Sequence, residues 1–292
     1  MLYIIIAVHN RKDFTRNCLL SLQKQTYRDF KVIVIDDGSV DGTSEMIQNE
    51  FSDSVVLFGD GNLWWTGATN FGLEYIDKLI QQNDYILTLN NDLTVDRNYL
   101  YSLISVSEKY KPCIVGSVSV ADENRELIDF AGIKWNKYSG KRTANFKKDT
   151  KYSQISSQEI IHSDLLPGRG TLIPAECFKK IGFYDQKHFP HYAADEDYSL
   201  RAEKSGYKLL ISTNAVVYSN INNTGLNYKL QKPTIKLFIK SLTSIKSAIN
   251  IKSRFFWAIK NSPIGIIYFL IDFSRICISF AIQFIKIQFF KK

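Results

Sequence analysis

Cysteine, histidine and methionine are scarce in this 292-residue sequence, at four, four and two residues. The cysteines (Cys18, Cys113, Cys177, Cys277) form no C-x-x-C pair. That spacing argues against a zinc ribbon, and a disulfide framework is not expected at this length. Reduced, structural thiols in a cytosolic setting are the expectation. The histidines (His9, His162, His188, His191) lack metal-ligand spacing as well, since His188 and His191 stand three apart across Pro190. The start has seven residues between Met1 and His9, no basic segment and no cleavage site, so it reads as a buried strand and not a signal peptide. Acid is nearly missing from one region: residues 229–292 contain 12 Lys/Arg and a single acid, Asp272.

That last scarcity divides the chain. The net charge of +8 splits into +11 for residues 229–292 and −3 for residues 1–228, which hold 25 basic and 28 acidic residues. A uniformly basic protein would suggest nucleic acid. Here the folding unit has no basic excess, so no nucleic-acid partner is expected. With 45% hydrophobic and 23% charged residues the chain is neither disordered nor fibrous, and its length suits one large domain or two modest ones.

The first 115 residues alternate apolar runs with helical stretches. Tyr3–Val8, Lys31–Ile35, Val55–Phe58, Tyr85–Leu89 and Ile114–Val120 read as strands, and Asp13–Gln25, Thr43–Phe51, Thr66–Gln82 and Arg97–Tyr110 as helices. Such Ile/Val runs separated by helices imply a doubly wound, mostly parallel α/β sheet. Ligands of these sheets bind beyond the carboxyl ends of the strands. Further on, Leu127–Phe130 and Ile133–Tyr138 are expected to pair as a hairpin, followed by a loop with five Lys/Arg between Lys141 and Lys151.

The polar residues collect at strand ends. Asp36-Asp37-Gly38-Ser39 suits a turn with a helix cap, but a turn does not need two adjacent carboxylates, whereas a nucleoside offers a base and a ribose to bind. Asn90-Asn91-Asp92 suits an Asx turn or a divalent cation held through oxygen. Asp195-Glu196-Asp197 opens a helix, where acids are stabilised by the dipole; one of the three has the chemistry of a general base. Arg169, between Gly168 and Gly170, is shaped for a diphosphate or for solvent. Trp64 and Trp65 follow Gly59 and Gly61, and one of them suits stacking on a base or sugar as well as core packing.

Taken in order, these motifs resemble the family 2 glycosyltransferases, inverting nucleotide-sugar enzymes of GT-A fold, over about Tyr3 to Val217. The resemblance rests on His9-Asn10-Arg11 after the first strand, Asp36-Asp37-Gly38-Ser39, and Gly67, Asn70 and Gly72 in one helix. It continues through Asn90-Asn91-Asp92, Gly168-Arg169-Gly170, Ile181–Asp185 and Asp195–Arg201. The Asn-Asn-Asp and Trp-Trp variants are similar to rhamnosyl- and galactofuranosyl-type transferases of bacterial surface polysaccharides. The resemblance implies a donor site of Asn10, Arg11, Asp36, Asp37, Trp65, Gly67, Asn70, Asn91 and Arg169. It implies Mg²⁺ or Mn²⁺ at Asp92 and Asn90, Asp195 as the catalytic base, and Glu196, Asp197 and His191 toward the acceptor. Three positions depart from the family pattern: Asn90 replaces the first metal-motif acid, Ala194 stands where a Glu usually precedes the base, and Ser219 stands where many relatives place a ligating His.

By the same resemblance, residues 1–120 are a nucleotide-sugar-binding half and 121–228 an acceptor and catalytic half. Residues 229–260 carry eight Lys/Arg and no acid, and Ile235, Phe238, Leu242, Ile245 and Ile249 recur at helical spacing, which reads as one basic amphipathic helix suited to a membrane interface. Ile264–Ile285 is rich in Ile and Phe and about long enough to span a bilayer, but Asp272 and Arg275 sit mid-segment. An in-plane or re-entrant helix is expected, the alternatives being a span or a tail packed on its own domain or another subunit. The resulting expectation is a peripheral enzyme on the cytoplasmic face of the plasma membrane. It would transfer a hexose or deoxyhexose from a dTDP- or UDP-sugar to a lipid-linked glycan of O-antigen or capsule. The rival expectations are a catalytically silent nucleotide-sugar-binding subunit and, more remotely, a nucleic-acid-binding protein using the tail.

Overall fold

The alternation within each apolar run decides which helices cover which face of the sheet. The structure, a computed structural model, describes residues 1–219 and 233–290, so Asn220 and the expected boundary between 228 and 229 lie outside the described residues. The chain begins β1 (Leu2–Val8), α1 (Lys12–Gln23), β2 (Phe30–Asp36), α2 (Thr43–Glu50), β3 (Val55–Phe58), α3 (Trp64–Asp77), β4 (Tyr85–Thr88), β5 (Leu93–Val95), α4 (Tyr99–Tyr110) and β6 (Cys113–Ala121). It continues β7 (Ile128–Phe130), β8 (Ile133–Trp135), β9 (Arg142–Ala144), β10 (Ile160–His162), β11 (Thr171–Pro174), α5 (Ala175–Ile181), α6 (Ala194–Lys204) and β12 (Lys208–Ser219). The last elements are α7 (Ile235–Thr243), α8 (Ile251–Asn261) and α9 (Gly265–Phe290).

The main sheet runs β10-β12-β6-β11-β4-β1-β2-β3. β3, β2, β1 and β4 pair in parallel, as do β6 and β12, and the antiparallel β11 lies between β4 and β6. This is the doubly wound, mostly parallel sheet expected. In β1, Leu2, Ile4, Ile6 and Val8 face a core with α1, α2 and α4, while Tyr3 and Ile5 face a second core with α3, α5 and α6. The register pairs Val8 with Asp36 and Asp36 with Phe58, so the carboxyl ends of β1, β2 and β3 finish level.

Two expectations require correction. Leu127–Phe130 and Ile133–Tyr138 do not form a hairpin with each other. β7 joins the edge of β6, and β8 pairs with β9. The turn that closes β8–β9 is built by Asn136, whose side-chain oxygen accepts from the Tyr138 and Ser139 N–H groups, and by Gly140 at φ 67°. Asn and Gly favour turns for this reason. The basic amphipathic segment is also two helices, not one. Asn250 breaks it: its oxygen accepts from Ser253 N–H to start α8, and its amide donates to the Thr243 and Ser244 carbonyls to finish α7. Lys229 and Lys232 lie outside the described residues.

Helices α8 and α9 enter the core of the body. Trp257, Ala258 and Tyr268 are buried in the same apolar cluster as Tyr198 and Phe189. The Tyr268 hydroxyl accepts from the indole N–H of Trp135 on β8 (3.0 Å) and of Trp257 on α8 (3.1 Å). Removing it strands two buried donors, each worth about 1–3 kcal/mol when unsatisfied. Tyr268→Phe is therefore expected to lower unfolding stability by about 2 kcal/mol in urea titrations, against under about 0.5 kcal/mol for the exposed Tyr138→Phe.

Candidate active site

Three strand ends and one helix start meet over the parallel half of the sheet. After β1, Asn10 and Arg11 both adopt left-handed backbone (φ 58° and 64°). The other two non-glycine residues with positive φ among those described are Trp64, which opens α3, and Ala193, which precedes α6. Arg11 pairs with Asp92, Trp64 packs against His191, and Ala193 immediately precedes α6. Strained backbone of this kind costs on the order of 1–3 kcal/mol per residue and persists where the surroundings over-determine it.

After β2, Asp36 and Asp37 take separate tasks. Asp36 accepts from Ser39 N–H (2.8 Å) and from the Ser44 hydroxyl. Asp37 accepts from Gly61 N–H (2.8 Å) and Trp64 N–H (3.1 Å), which fixes the loop before α3. Asn10 accepts from Val40 N–H and ties the first strand end to the second. Gly67 lies one turn into α3, where a Cβ would come within 2.7 Å of the Gln186 amide.

After β4, Asn90 accepts from the Trp65 indole N–H at 3.1 Å, and Asp92 lies 3.0 Å from the Arg11 guanidinium. Among the described residues there is no group of three or more His, Cys, Asp or Glu able to hold a metal ion. One carboxylate with an amide oxygen does not make a protein-only cage. It does fit a cation shared with phosphate oxygens, the usual mode of Mg²⁺.

On the opposite wall, Asp195 sits in the first turn of α6. Its Oδ2 accepts from Gly168 N–H at 2.7 Å and its Oδ1 from Glu196 N–H at 2.9 Å. Burial pushes its pKa up to about 6, the neighbouring Glu196 pushes the same way, and the two N–H groups oppose them. Asp195 is thus mostly ionised at neutral pH yet close to taking a proton. Gly168 is wedged between this carboxylate and Trp65: a Cβ there would lie 2.5 Å from Trp65 Cη2 and 3.4 Å from Asp195 Cβ. Glu196 receives both prongs of Arg142, at 2.7 and 2.6 Å.

Not every expected residue faces the cleft. Asn70 uses its whole amide on the backbone of Tyr184, and Asn91 donates to Thr15 inside the α1 face. Asp197 is fully buried and bonded to Arg201 and Asn261, with Lys260 3.4 Å away. These three side chains join elements. Arg169 stands beside the cleft, paired with Asp129 at 2.8 Å. His191 packs edge-on against Trp64, its Nδ1 buried without a partner; burial, then Lys246 and Arg11, lower its pKa and keep the ring neutral. Ser219 is buried, 3.3 Å from Ser119. Arg142 escaped the sequence reading because it lies in a run of Lys and Arg that looks like a solvated loop. Its signal, an arginine opening the strand after a turn that holds Asn136 and Gly140, is visible once the hairpin is known.

The family described as Glycosyl transferase family 2 matches residues 3–166. A glycosyltransferase of Rickettsia typhi is 28% identical over 187 residues, covering 63% of this chain and 53% of the relative. The GalNAc(5)-diNAcBac-PP-undecaprenol beta-1,3-glucosyltransferase of Campylobacter jejuni is 22% identical over 229 residues, covering 72% and 71%. The crystal structure of GalNAc-T7 with UDP, GalNAc and Mn²⁺ superposes with a TM-score of 0.62 at 16% identity, over 94% of this chain and 54% of that one. Residues 1–349 of TarS from S. aureus in complex with UDP give 0.54 at 13% identity, over 88% and 69%. The chain spans about half the length of the Rickettsia relative, and the structural likenesses bear on the fold alone. The family match covers more than half of the sequence, and the chain belongs to glycosyl transferase family 2.

Proposed function

We propose that this chain is an inverting transferase that moves a hexose or deoxyhexose from a dTDP- or UDP-sugar to a lipid-linked glycan, at the cytoplasmic face of the plasma membrane, in bacterial surface polysaccharide synthesis. The observation that carries the reading is the run of contacts that joins Asp195, through Gly168 and Trp65, to Asn90 after β4. The Campylobacter relative, named for a diphosphoundecaprenol-linked substrate, favours a lipid-linked acceptor. We keep residues 1–120 as the donor half and 121–228 as the acceptor half.

In this reading Asp195 takes the proton of the acceptor hydroxyl as its oxygen bonds to the sugar C1. The C1–O bond to the diphosphate breaks on the opposite face, and the anomeric configuration inverts. Asp36 and Asp37 face the nucleoside, directly or through the loop they hold, and Trp65 and Gly67 shape the wall beside it. Arg11 and Arg169 offer guanidinium forks to the diphosphate. Asp92 and Asn90 would hold a divalent cation shared with the diphosphate, whose chemistry is to neutralise the leaving group. His191 and Glu196 lie on the acceptor side.

The tail supports membrane docking. Ile235 and Ile239 on α7, Ile251, Phe255 and Ile259 on α8, and Ile266, Ile267, Leu270, Ile271, Ile278 and Ile282 on α9 are exposed. Lys236, Lys240, Lys246, Lys252 and Lys286 are exposed with them. An anionic bilayer fits both features, with about 1 kcal/mol per Lys or Arg near its surface. Gly265–Ile287 is long and apolar enough to cross a membrane. Yet Asp272 is buried against Arg254 at 2.9 Å and Arg275 at 3.4 Å, on the side of α9 that packs on the body. A helix lying in the interface satisfies both faces; a span would carry this ion cluster into hydrocarbon.

Four outcomes are expected. Asp195→Asn loses at least about a hundredfold in transfer from a panel of UDP- and dTDP-sugars, while binding of the free nucleotide changes less than about threefold. Because the base must be unprotonated, wild-type kcat/KM falls as pH drops through about 6; transfer by Asp195→Asn at the wild-type rate defeats the assignment. EDTA lowers turnover at least about tenfold, restored by Mn²⁺ or Mg²⁺, and a full rate in chelator removes the cation from Asp92. Ile266→Glu with Leu270→Glu lowers co-sedimentation with phosphatidylglycerol-containing vesicles about tenfold or more; unchanged sedimentation rules out this face as the docking surface.

A further inference from the structure

The β8–β9 hairpin carries a side chain that no part of the donor or acceptor reading uses. Arg142 opens β9 and reaches across to α6, where both terminal nitrogens bond Glu196, at 2.7 and 2.6 Å. Its guanidinium also stacks over Trp257 of α8, 5.3 Å from the ring centre. The pair is mostly shielded, the Arg142 side chain being 30% and that of Glu196 19% exposed. Glu196 in turn supplies the backbone N–H that Asp195 Oδ1 accepts.

The hairpin is braced from behind. Arg275 of α9 donates to the carbonyls of Gly140 (3.1 Å) and Ser139 in its turn, and Ser262 donates to the Lys137 carbonyl at 2.6 Å. Trp135 donates to Tyr268. Arg142 is therefore presented by a fixed element, not by a loop free to follow Glu196.

We propose that Arg142 is a positioning residue for the base: by closing a two-pronged ion pair on Glu196, it offsets part of the charge next to Asp195 and fixes the first turn of α6. The inference rests on the reading of Asp195 as the base. The physical reason is the adjacency of two acids. An unbalanced Glu196 would hold a proton on Asp195 by repulsion. A base that must be free of its proton near neutral pH needs that charge offset, and the planar fork of arginine offsets it in a single orientation. The other titratable or charged groups near the pair are Tyr184 before α6, Tyr198 on α6, and Tyr268 and Asp272 on α9. Asp272 is itself balanced by Arg254 and Arg275.

The test uses the full chain labelled with ¹³C at aspartate and follows the carboxyl resonance that is missing from Asp195→Asn. Its titration midpoint is expected to rise by about one pH unit in Arg142→Gln, to fall by about one in Glu196→Gln, and to return near wild type in the double variant. A merely structural Arg142 would reduce turnover without moving the midpoint. Midpoints unmoved in both single variants overturn the proposal. If thermal melts show Arg142→Gln unfolded, Glu196→Gln carries the same test alone, and an unmoved midpoint there overturns it. Transfer by Asp195→Asn separates the two readings. A dead Asp195→Asn with unmoved midpoints sinks the clamp and keeps the base, whereas an active Asp195→Asn with moved midpoints sinks the base.

Discussion

The hydrogen bond from Gly168 N–H to Asp195 is the contact on which the cleft depends. It joins the loop before β11, which belongs to the sheet, to the first turn of α6, which lies over the sheet's second core. Trp65 fills the space on the other side of Gly168, and its indole N–H holds Asn90 at the end of β4. One glycine therefore links α3, β4 and α6. No larger residue fits, because the Trp65 ring occupies the place its side chain would take.

Much of the sheet was legible because it rests on local rules. Continuous Ile/Val runs separated by helical periods specify parallel strands, and the strand order then sets where ligands approach. Asp36 ends β2, Asp37 follows it and Asn90 and Asp92 follow β4, which is where that rule looks for ligand-binding residues. Side-chain direction was less legible. Asn70, Asn91 and Asp197 sit in motifs but point at backbone, Thr15 and Arg201, because a short polar side chain satisfies whichever partner the packing presents. The β8–β9 pairing was missed because two short apolar runs separated by Ala131-Gly132 look like a hairpin, while the decisive turn was the polar stretch from Asn136 to Gly140.

The tail illustrates how composition misleads when charges are counted without their partners. Residues 229–292 read as a basic appendage. In the fold, Lys260 lies 3.4 Å from Asp197, which Asn261 also reaches; Arg254 bonds Asp272, and Arg275 bonds Asp272 and the hairpin turn. These charges are paired with protein groups and largely cancelled. Lys236, Lys240, Lys246, Lys252 and Lys286 remain at the surface beside exposed isoleucines.

The two faces of the tail thus answer to different solvents. The inner face meets protein, where a buried ion pair needs complete hydrogen bonding to be tolerated, and Asp272 has it. The outer face is apolar and cationic, a combination that is costly in water and well matched to an anionic interface. Because α8 and α9 also brace the hairpin that carries Arg142, the surface proposed to bind lipid and the carboxylate proposed to take the acceptor's proton share one rigid support. An amphiphilic acceptor would then be met at the interface by a base whose geometry is already set.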